Sequence, residues 1–321
     1  MTRVVFMGSP DLAVPSLEAL IAVKNIEVVA VFTQPDRPVG RGRKLQPSPV
    51  KVAALQHGLT VHTPQKISAP DVQPLVEEAK ADLAIVCAYG HILPDRLLAL
   101  FPAGCYNLHF SLLPRWRGAS PVQAAILAGD VNTGVSLQSM VRELDAGPIV
   151  SETPPMEINP QETAGELAPR LATAAAELLS ATLPILIQGN PPKKEQDHDQ
   201  ATFCRTIQKS AGRVDVSAET AKEIDRKVRA YHPWPGGFAF LEGRRLSLEK
   251  VVAMNETLEP EGVPSDQAVG VVHPTGWVKT REGWLQLVEV KPEGKRAMAW
   301  ADFVRGRPLA PTAELLPDPP A

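Results

Sequence analysis

The sequence predicts an α/β protein with two domains: a Rossmann-like, doubly wound and mostly parallel sheet, followed by a smaller β-barrel. Its length of 321 residues is long for a single domain and indicates about two. In the first half, apolar and β-branched runs alternate with helical patterns, which is typical of βαβ units in a parallel sheet. Further along the chain, short strand signals separated by turn residues indicate a small antiparallel barrel.

The elements of the first half follow one another in a regular order. Strands are predicted at 3–7, 27–33, 84–88 and 105–109, and helices at 15–23, 49–57, 71–80 and 94–100. The segment AIVCA, at 84–88, is entirely apolar, as expected of a strand that is buried on both faces. Because such sheets bind ligands at the carboxyl ends of their strands, we expect the functional site at that edge.

The second half of the chain changes character after a long helix. Two more strands are predicted at 135–140 and 148–152, and the helix at 162–187. Residues 189–200 contain two prolines and mixed charges, which is typical of a linker. Beyond it we expect a helix at 218–230 and barrel strands at 238–241, 244–252, 270–273, 277–280 and 284–290.

These patterns predict a first domain at 1–189, a linker at 190–204 and a second domain at 205–321. Residues 206–321 carry 16 basic and 16 acidic side chains. Residues 206–321 therefore have no net charge, and a nucleic-acid-binding face on this domain would have to be a one-sided patch.

The composition favours a cytoplasmic globular protein. The net charge of −3 argues against binding nucleic acid by bulk charge, although it leaves room for a local basic site. Cys87, Cys105 and Cys204 are scattered, so neither a disulfide framework nor a metal site is expected. We expect no signal peptide, and no apolar run approaches the length of a membrane span. The first strand lacks a following G-x-G-x-x-G, so a nicotinamide cofactor is not expected.

Asn107 and His109 lie two residues apart in CYNLHFSLLPRWRG, where a strand is predicted to end. Residues two apart on a strand point to the same face, so both side chains should face one point of the crevice. An Asn amide can donate a hydrogen bond to a developing oxyanion, and a His can carry protons near neutral pH. The pair suits acyl-transfer chemistry, but an isolated N-x-H is more often structural.

Asp145 lies in ELDAGPI, a predicted short loop between two strands. A carboxylate there could orient His109 or accept a proton from an attacking amine. A single Asp in such a loop is more often a turn residue that accepts backbone N–H bonds. The residues by themselves leave both interpretations open.

The segments NLHFSLLPRWRGASPV and LDAGPI together resemble the folate-dependent formyltransferase family. The family pattern is N-x-H-x-S-L-L-P, followed later by an Asp-Gly or Asp-Ala-Gly loop. The resemblance implies that Asn107, His109 and Asp145 are catalytic. It implies a site for 10-formyltetrahydrofolate, without a metal, that is lined by Ser111, Leu112, Leu113 and Pro114.

The resemblance runs over nearly the whole chain, from about residue 3 to residue 304, and includes YHPWPGGFA. It implies an OB-like class for the second domain, with a role in tRNA binding, and a monomeric protein. Phe110 departs from the pattern, because many family members have a small residue there.

The segment FTQPDRPVGRGRKLQPSPVK is a basic insertion that matches family members acting on methionyl initiator tRNA. Residues 33–51 hold five basic side chains against one acid, a local net charge of +4. Two glycines and two prolines, Gly40, Gly42, Pro38 and Pro47, are expected to deny this loop regular structure. The resemblance implies that the loop and one lysine near the substrate entrance contact tRNA, through Arg41, Arg43, Lys44 and Lys209. Without it, a solvated surface loop would be the favoured interpretation.

The expected reaction is transfer of the formyl group from 10-formyltetrahydrofolate to the α-amino group of methionyl initiator tRNA. An alternative is a formyltransferase whose acceptor is an amino-sugar nucleotide. Two others are a non-catalytic RNA-binding protein and a hydrolase in which water replaces the amine. The basic loop favours a tRNA acceptor, and the presence of Asn107, His109 and Asp145 argues against a non-catalytic protein.

Overall fold

The computed structural model describes residues 1–39, 42, 44–254 and 258–319 of the chain. Contacts divide the chain into two units. The first unit comprises Met1–Val122, Asn132–Glu157 and Leu167–Thr206, and the second comprises Gln123–Val131, Ile158–Glu166 and Ile207–Ala321. The predicted domain limits of 1–189 and 205–321, with a linker at 190–204, stay a prediction.

The first unit is built on a seven-stranded sheet. Its strands and the short ones around it are β1 (Thr2–Gly8), β2 (Ile26–Phe32), β3 (Arg37–Val39), β4 (Lys44–Gln46), β5 (Val61–His62), β6 (Leu83–Cys87), β7 (Cys105–His109), β8 (Arg117–Gly118), β9 (Asn132–Thr133), β10 (Ser136–Ser139), β11 (Ile149–Glu152), β12 (Met156–Glu157) and β13 (Phe203–Cys204). The sheet order is β11-β10-β7-β6-β1-β2-β5. Strands β5, β2, β1, β6 and β7 are parallel, whereas β10 and β11 are antiparallel. The predicted doubly wound, mostly parallel sheet is confirmed.

The central strands are apolar because both of their faces are covered. Every residue of β6 is buried, as the sequence AIVCA predicts. After β1 the chain forms β2 and β5 on one side of β1, and it then returns to form β6 on the other side. The topological switch point therefore lies between β1 and β6. Gly8 ends β1 there, and a Cβ atom on it would lie 2.8 Å from the Cys87 carbonyl oxygen. Only glycine allows this approach of the two strands.

The helices in the first two-thirds of the chain are α1 (Val14–Ile21), α2 (Pro49–Gln56), α3 (Val72–Ala79), α4 (Asp95–Leu98), α5 (Pro121–Ala128) and α6 (Ala164–Ile187). Short 3-10 turns occur at Asp11–Ala13 and His198–Gln200. No apolar run was expected to reach the length of a membrane span. By length and composition alone, however, α6 is long and apolar enough to cross a membrane. Its leucines at 167, 171, 179 and 186 are fully buried, so this apolar surface contributes to the protein core.

The second unit contains a six-stranded antiparallel sheet. Its elements are α7 (Ala221–Tyr231), β14 (Gly237–Leu241), β15 (Arg244–Ala253), β16 (Trp277–Lys279), β17 (Trp284–Pro292), β18 (Met298–Ala299), α8 (Trp300–Gly306) and β19 (Leu315–Leu316). The order is β16-β17-β15-β14-β19, with β18 on β17. The long strand β15 changes register against β17 around Lys250, and such bulges bend a strand. This curved antiparallel sheet confirms the OB-like class.

Two local expectations are corrected. Residues 270–273 form no strand, since Val271 and Val272 make only single bridges, to Glu314 and Val278. The basic loop was expected to lack regular structure, yet β3 and β4 within it pair as antiparallel strands. A proline is compatible with β3 because a two-stranded ribbon has open edges, where a missing N–H costs nothing.

Candidate active site

Asn107 and His109 lie on β7, at the point where the sheet changes from parallel to antiparallel pairing. Their register partners on β10 are Gln138 and Ser136. His109 is only 4% exposed, whereas Asn107 is half-buried and lies nearer to solvent. The two predicted side chains are therefore at the carboxyl end of a strand, one deep and one partly open.

Asp145 lies in the loop between β10 and β11 and reaches both of these residues. Its Oδ1 accepts a hydrogen bond from Asn107 Nδ2 at 3.3 Å, and its Oδ2 lies 3.6 Å from His109 Nδ1. Its backbone φ is 50°, in the left-handed region that residues with side chains rarely adopt. The structure thus brings together the three residues that the resemblance implies are catalytic.

The imidazole of His109 is hydrogen-bonded at one ring nitrogen and faces a carboxylate at the other. Nε2 lies 2.8 Å from the carbonyl oxygen of Trp116. Because a carbonyl can only accept, Nε2 carries a hydrogen and donates it there. Nδ1 faces the carboxylate of Asp145, so both ring nitrogens point at acceptors and the ring has one defined orientation.

Four further groups around Asp145 were not identified from the sequence. Gln138 Nε2 donates to Asp145 Oδ1 at 2.9 Å, and the backbone N–H of Gly118 donates to Oδ2 at 2.8 Å. Gln196 is buried behind the loop, and its Oε1 accepts from Nε and Nη2 of Arg117. Burial lowers the pKa of the Arg117 guanidinium, and the negative charge of Asp145 opposes this shift.

Gly147, two residues after Asp145, fixes the approach of the loop to β10. A Cβ atom on Gly147 would lie 1.7 Å from the carbonyl oxygen of Ser139, a distance at which atoms overlap. The Asp-Ala-Gly sequence therefore has a physical basis here, since only glycine lets the loop lie against the strand.

The SLLP segment follows β7 and is anchored by hydrogen bonds of its own. Ser111 is buried, and its Oγ donates to the Arg115 carbonyl oxygen at 2.5 Å. Leu113 is also buried, and its N–H donates to Ser136 Oγ at 2.9 Å. The side chains of the other two members, Leu112 and Pro114, are partly exposed. The folate contacts predicted for these four residues stay a prediction.

The four residues predicted to contact tRNA lie in different parts of the chain. Arg41 and Arg43 lie outside the described residues. Lys44 begins β4 and is exposed, in the first unit. Lys209 is exposed in a 3-10 turn, Lys209–Gly212, of the second unit. Both described lysines are accessible, and their role in tRNA binding stays a prediction.

A second polar cluster lies where β1, β2 and β6 end, at the switch point. Ser9 Oγ and Gln34 Nε2 both donate to the Tyr89 carbonyl oxygen, at 3.2 and 3.1 Å. The Tyr89 hydroxyl and His91 Nε2 are buried and have no hydrogen-bond partner within the described chain. Burial raises the pKa of the Tyr89 hydroxyl and lowers that of His91. The sequence predicts a ligand-binding edge here but does not single out these residues.

The arrangement around Asp145 can support transfer of an acyl group. It places an amide donor at 3.3 Å and an imidazole at 3.6 Å from one carboxylate, at a partly open strand end. Among the described residues, no group of three or more His, Cys, Asp or Glu side chains is arranged to hold a metal ion.

Comparison with known proteins identifies the family. Residues 2–183 match the family described as formyl transferase, and residues 206–308 match the formyl transferase C-terminal domain. A methionyl-tRNA formyltransferase of Xanthomonas euvesicatoria pv. vesicatoria (strain 85-10) is 43% identical over 95% of this chain and 97% of its own. One from Bdellovibrio bacteriovorus is 41% identical, covering 96% of each chain.

Solved structures share the fold at lower identity. An N-formyltransferase from Helicobacter canadensis, solved with folinic acid and dTDP-3-aminofucose, superposes with a TM-score of 0.65 at 18% identity. The match covers 89% of this chain and 98% of that one. With both of its regions matched and relatives above 40% identity along nearly its full length, the chain belongs to the formyltransferase family.

Proposed function

We propose that this chain transfers the formyl group of 10-formyltetrahydrofolate to the α-amino group of methionyl initiator tRNA, giving N-formylmethionyl-tRNA. The observation that carries the proposal is the Asp145 carboxylate, bonded to Asn107 and adjacent to His109. The acceptor is taken from the methionyl-tRNA formyltransferases that are 41–43% identical to this chain. The donor is taken from the resemblance of the SLLP segment.

In the proposed reaction the neutral amine attacks the formyl carbon, so a nitrogen–carbon bond forms and the carbonyl electrons move to oxygen. Asn107 Nδ2 carries two hydrogens. One is directed at Asp145, so the second can donate to the developing oxyanion. His109, whose Nδ1 faces Asp145, would help to stabilise the same oxygen. Collapse breaks the bond from the formyl carbon to folate N10, and the proton from the amine passes to N10 through Asp145 or water.

The remaining assignments belong to the same proposal. Ser111, Leu112, Leu113 and Pro114 would line the folate site, and the basic loop with Lys209 would contact tRNA. The first domain would hold the chemistry and the second would help to bind tRNA. We propose that the protein acts as a monomer in the cytoplasm.

The test is incubation of the purified protein with methionyl-tRNA and labelled 10-formyltetrahydrofolate, with amino-sugar nucleotides as parallel acceptors. We expect label in methionyl-tRNA and none in the sugars. Asp145→Asn should lower kcat at least about 100-fold, the usual contribution of a group that handles protons. The amide would present N–H groups to donors that now meet carboxylate oxygens.

The matched control is Glu143→Gln, which removes one negative charge from the same loop at an exposed position. Its kcat should stay within about twofold of the wild-type value. Transfer to a sugar nucleotide in place of methionyl-tRNA would disprove the acceptor, and wild-type turnover by Asp145→Asn would disprove the role of the carboxylate.

A further inference from the structure

Gln196 connects two separate parts of the candidate active site. It is 5% exposed, in the segment that follows α6. Its Nε2 donates to the carbonyl oxygens of Asp145 and Gly147, at 2.9 and 2.7 Å. Its Oε1 accepts from Nε and Nη2 of Arg117, at 3.0 and 2.7 Å. Both ends of one side-chain amide are therefore used, one on the loop and one on the guanidinium.

The loop that Gln196 contacts needs support from outside itself. Asp145 has a φ of 50°, a conformation that costs a residue with a side chain about 1 kcal/mol or more. Such a conformation persists only where the surroundings fix it. The two bonds from Gln196 hold the carbonyls on either side of Ala146, and so they fix the direction in which the Asp145 side chain leaves the backbone.

Arg117 supplies the other half of the arrangement. It is 4% exposed, and the guanidinium also approaches His198 Nδ1 at 3.2 Å through Nη2. The next residue, Gly118, donates its N–H to Asp145 Oδ2. By orienting Arg117, Gln196 places a positive charge close to the carboxylate and steadies the backbone that bonds to it.

We propose that Gln196 is a positioning residue for the formyl-transfer reaction, which acts through Asp145 without touching the substrate. The inference rests on the proposed function. It assigns a catalytic contribution to a segment that composition alone marks as a linker. A shift of the Asp145 loop by a fraction of an ångström would misalign the carboxylate with His109 and Asn107.

Two substitutions separate the contacts. Gln196→Glu keeps an oxygen acceptor for Arg117, but its carboxylate cannot donate to the carbonyls of Asp145 and Gly147. Gln196→Met keeps the length of the side chain and loses both sets of bonds. We expect each to lower kcat by at least about 10-fold, with KM for methionyl-tRNA and for 10-formyltetrahydrofolate within about threefold of wild type.

The matched control is Gln200→Glu, the same change four residues later at an exposed position, which should leave kcat unchanged. Thermal unfolding of each variant tests whether it is folded at the assay temperature. If Gln196→Met does not fold, Gln196→Glu, which retains the acceptor for Arg117, carries the test.

A folded Gln196→Glu with kcat within twofold of wild type would overturn the inference. A rise in KM that accounts for the whole loss would overturn it as well, because it would indicate substrate binding. An inactive wild-type protein would instead reject the proposed function, so the two failures are distinguishable.

Discussion

Asp145 depends on groups from several separate parts of the chain. Its carboxylate accepts from Asn107 on β7, from Gln138 on β10 and from the Gly118 backbone, and its carbonyl accepts from Gln196. A carboxylate with these donors has one orientation, which is the requirement for a group that must meet a substrate in a fixed geometry. The cost is a left-handed backbone at this residue.

The sequence predicts Asn107, His109 and Asp145 as site residues because they fall in the pattern of a known family, but nothing in it singles out Gln196. Arg117 and Gln196 are 79 residues apart, and neither has a local pattern that indicates the other. The segment 189–200, which contains Gln196, is polar and has two prolines. Such segments are ordinarily solvated, so the composition did not predict a buried side chain there. Contacts at this separation become visible only when the fold brings the segments together.

Gly147→Ala tests the close approach of the loop to β10. The new methyl group would overlap the Ser139 carbonyl oxygen, so the loop must move. We expect a lower Tm, equivalent to more than about 1 kcal/mol, and a kcat at least about 10-fold lower. Gly306→Ala, where a Cβ atom would meet nothing within 4 Å, is the control and should change neither value. Wild-type Tm and kcat in Gly147→Ala would contradict this account.

At the scale of elements, several segments were predictable from the sequence and others were not. The buried strand β6 and the helices α2 and α7 lie close to their predicted positions. The helix α5 (PVQAAILA) was missed, because it is almost uniformly apolar and lacks the alternation between polar and apolar faces that marks a surface helix. Residues 270–273 have the composition of a strand, but composition cannot supply the partner that a strand needs.

The helix α7 begins with a capping box. Thr220 Oγ1 accepts from the Glu223 N–H at 3.1 Å, and Glu223 Oε2 accepts from the Thr220 N–H at 2.8 Å. The pKa of Glu223 is lowered, and the largest cause is the hydrogen bond from the Thr220 backbone N–H. The Thr220 side chain and the positive charge of Arg281 lower this pKa further. The ionised form is therefore favoured in the folded state. Its stabilisation is present above the ordinary pKa of 4.5 and is lost as the pH falls below it.

Glu223→Gln should accordingly lower the free energy of unfolding by about 0.5 kcal/mol at pH 7, the size of a charge effect at a helix start. The difference from wild type should shrink at a pH well below the ordinary value of 4.5, because protonation then neutralises wild-type Glu223 as well. Chemical denaturation at both pH values measures it. Glu261→Gln, at an exposed acid of the same unit, is the control. A difference that persists at the lower pH would rule out the charge as its source.

At the scale of the whole molecule, the charge is unevenly distributed along the chain. The net charge is −3, yet residues 33–51 carry +4. A polyanionic substrate such as tRNA would therefore be bound through local basic segments, with a steep dependence on salt. The described lysines of the proposed tRNA contacts, Lys44 and Lys209, lie in different units, so each unit can be tested separately.

Lys44→Ala and Lys209→Ala should each weaken methionyl-tRNA binding and reduce the slope of log Kd against log salt by about 1. KM for 10-formyltetrahydrofolate should not change, because the folate site is proposed elsewhere. Titration of tRNA binding at several salt concentrations measures the slopes. Lys24→Ala, at an exposed lysine of the first unit, serves as the control. An unchanged slope for either variant would remove that lysine from the proposed contacts.

The bond from Gln196 to the Asp145 carbonyl joins residues 51 positions apart, and the later residue lies beyond the long helix α6. During synthesis on the ribosome, Asp145 therefore emerges well before Gln196, whose side chain holds its loop by hydrogen bonds. The nascent chain can complete its parallel strands before Gln196 is available to hold the Asp145 loop. A fragment that ends at residue 189 would lack Gln196, whereas a fragment that extends through Thr206, where the first unit ends, would contain it.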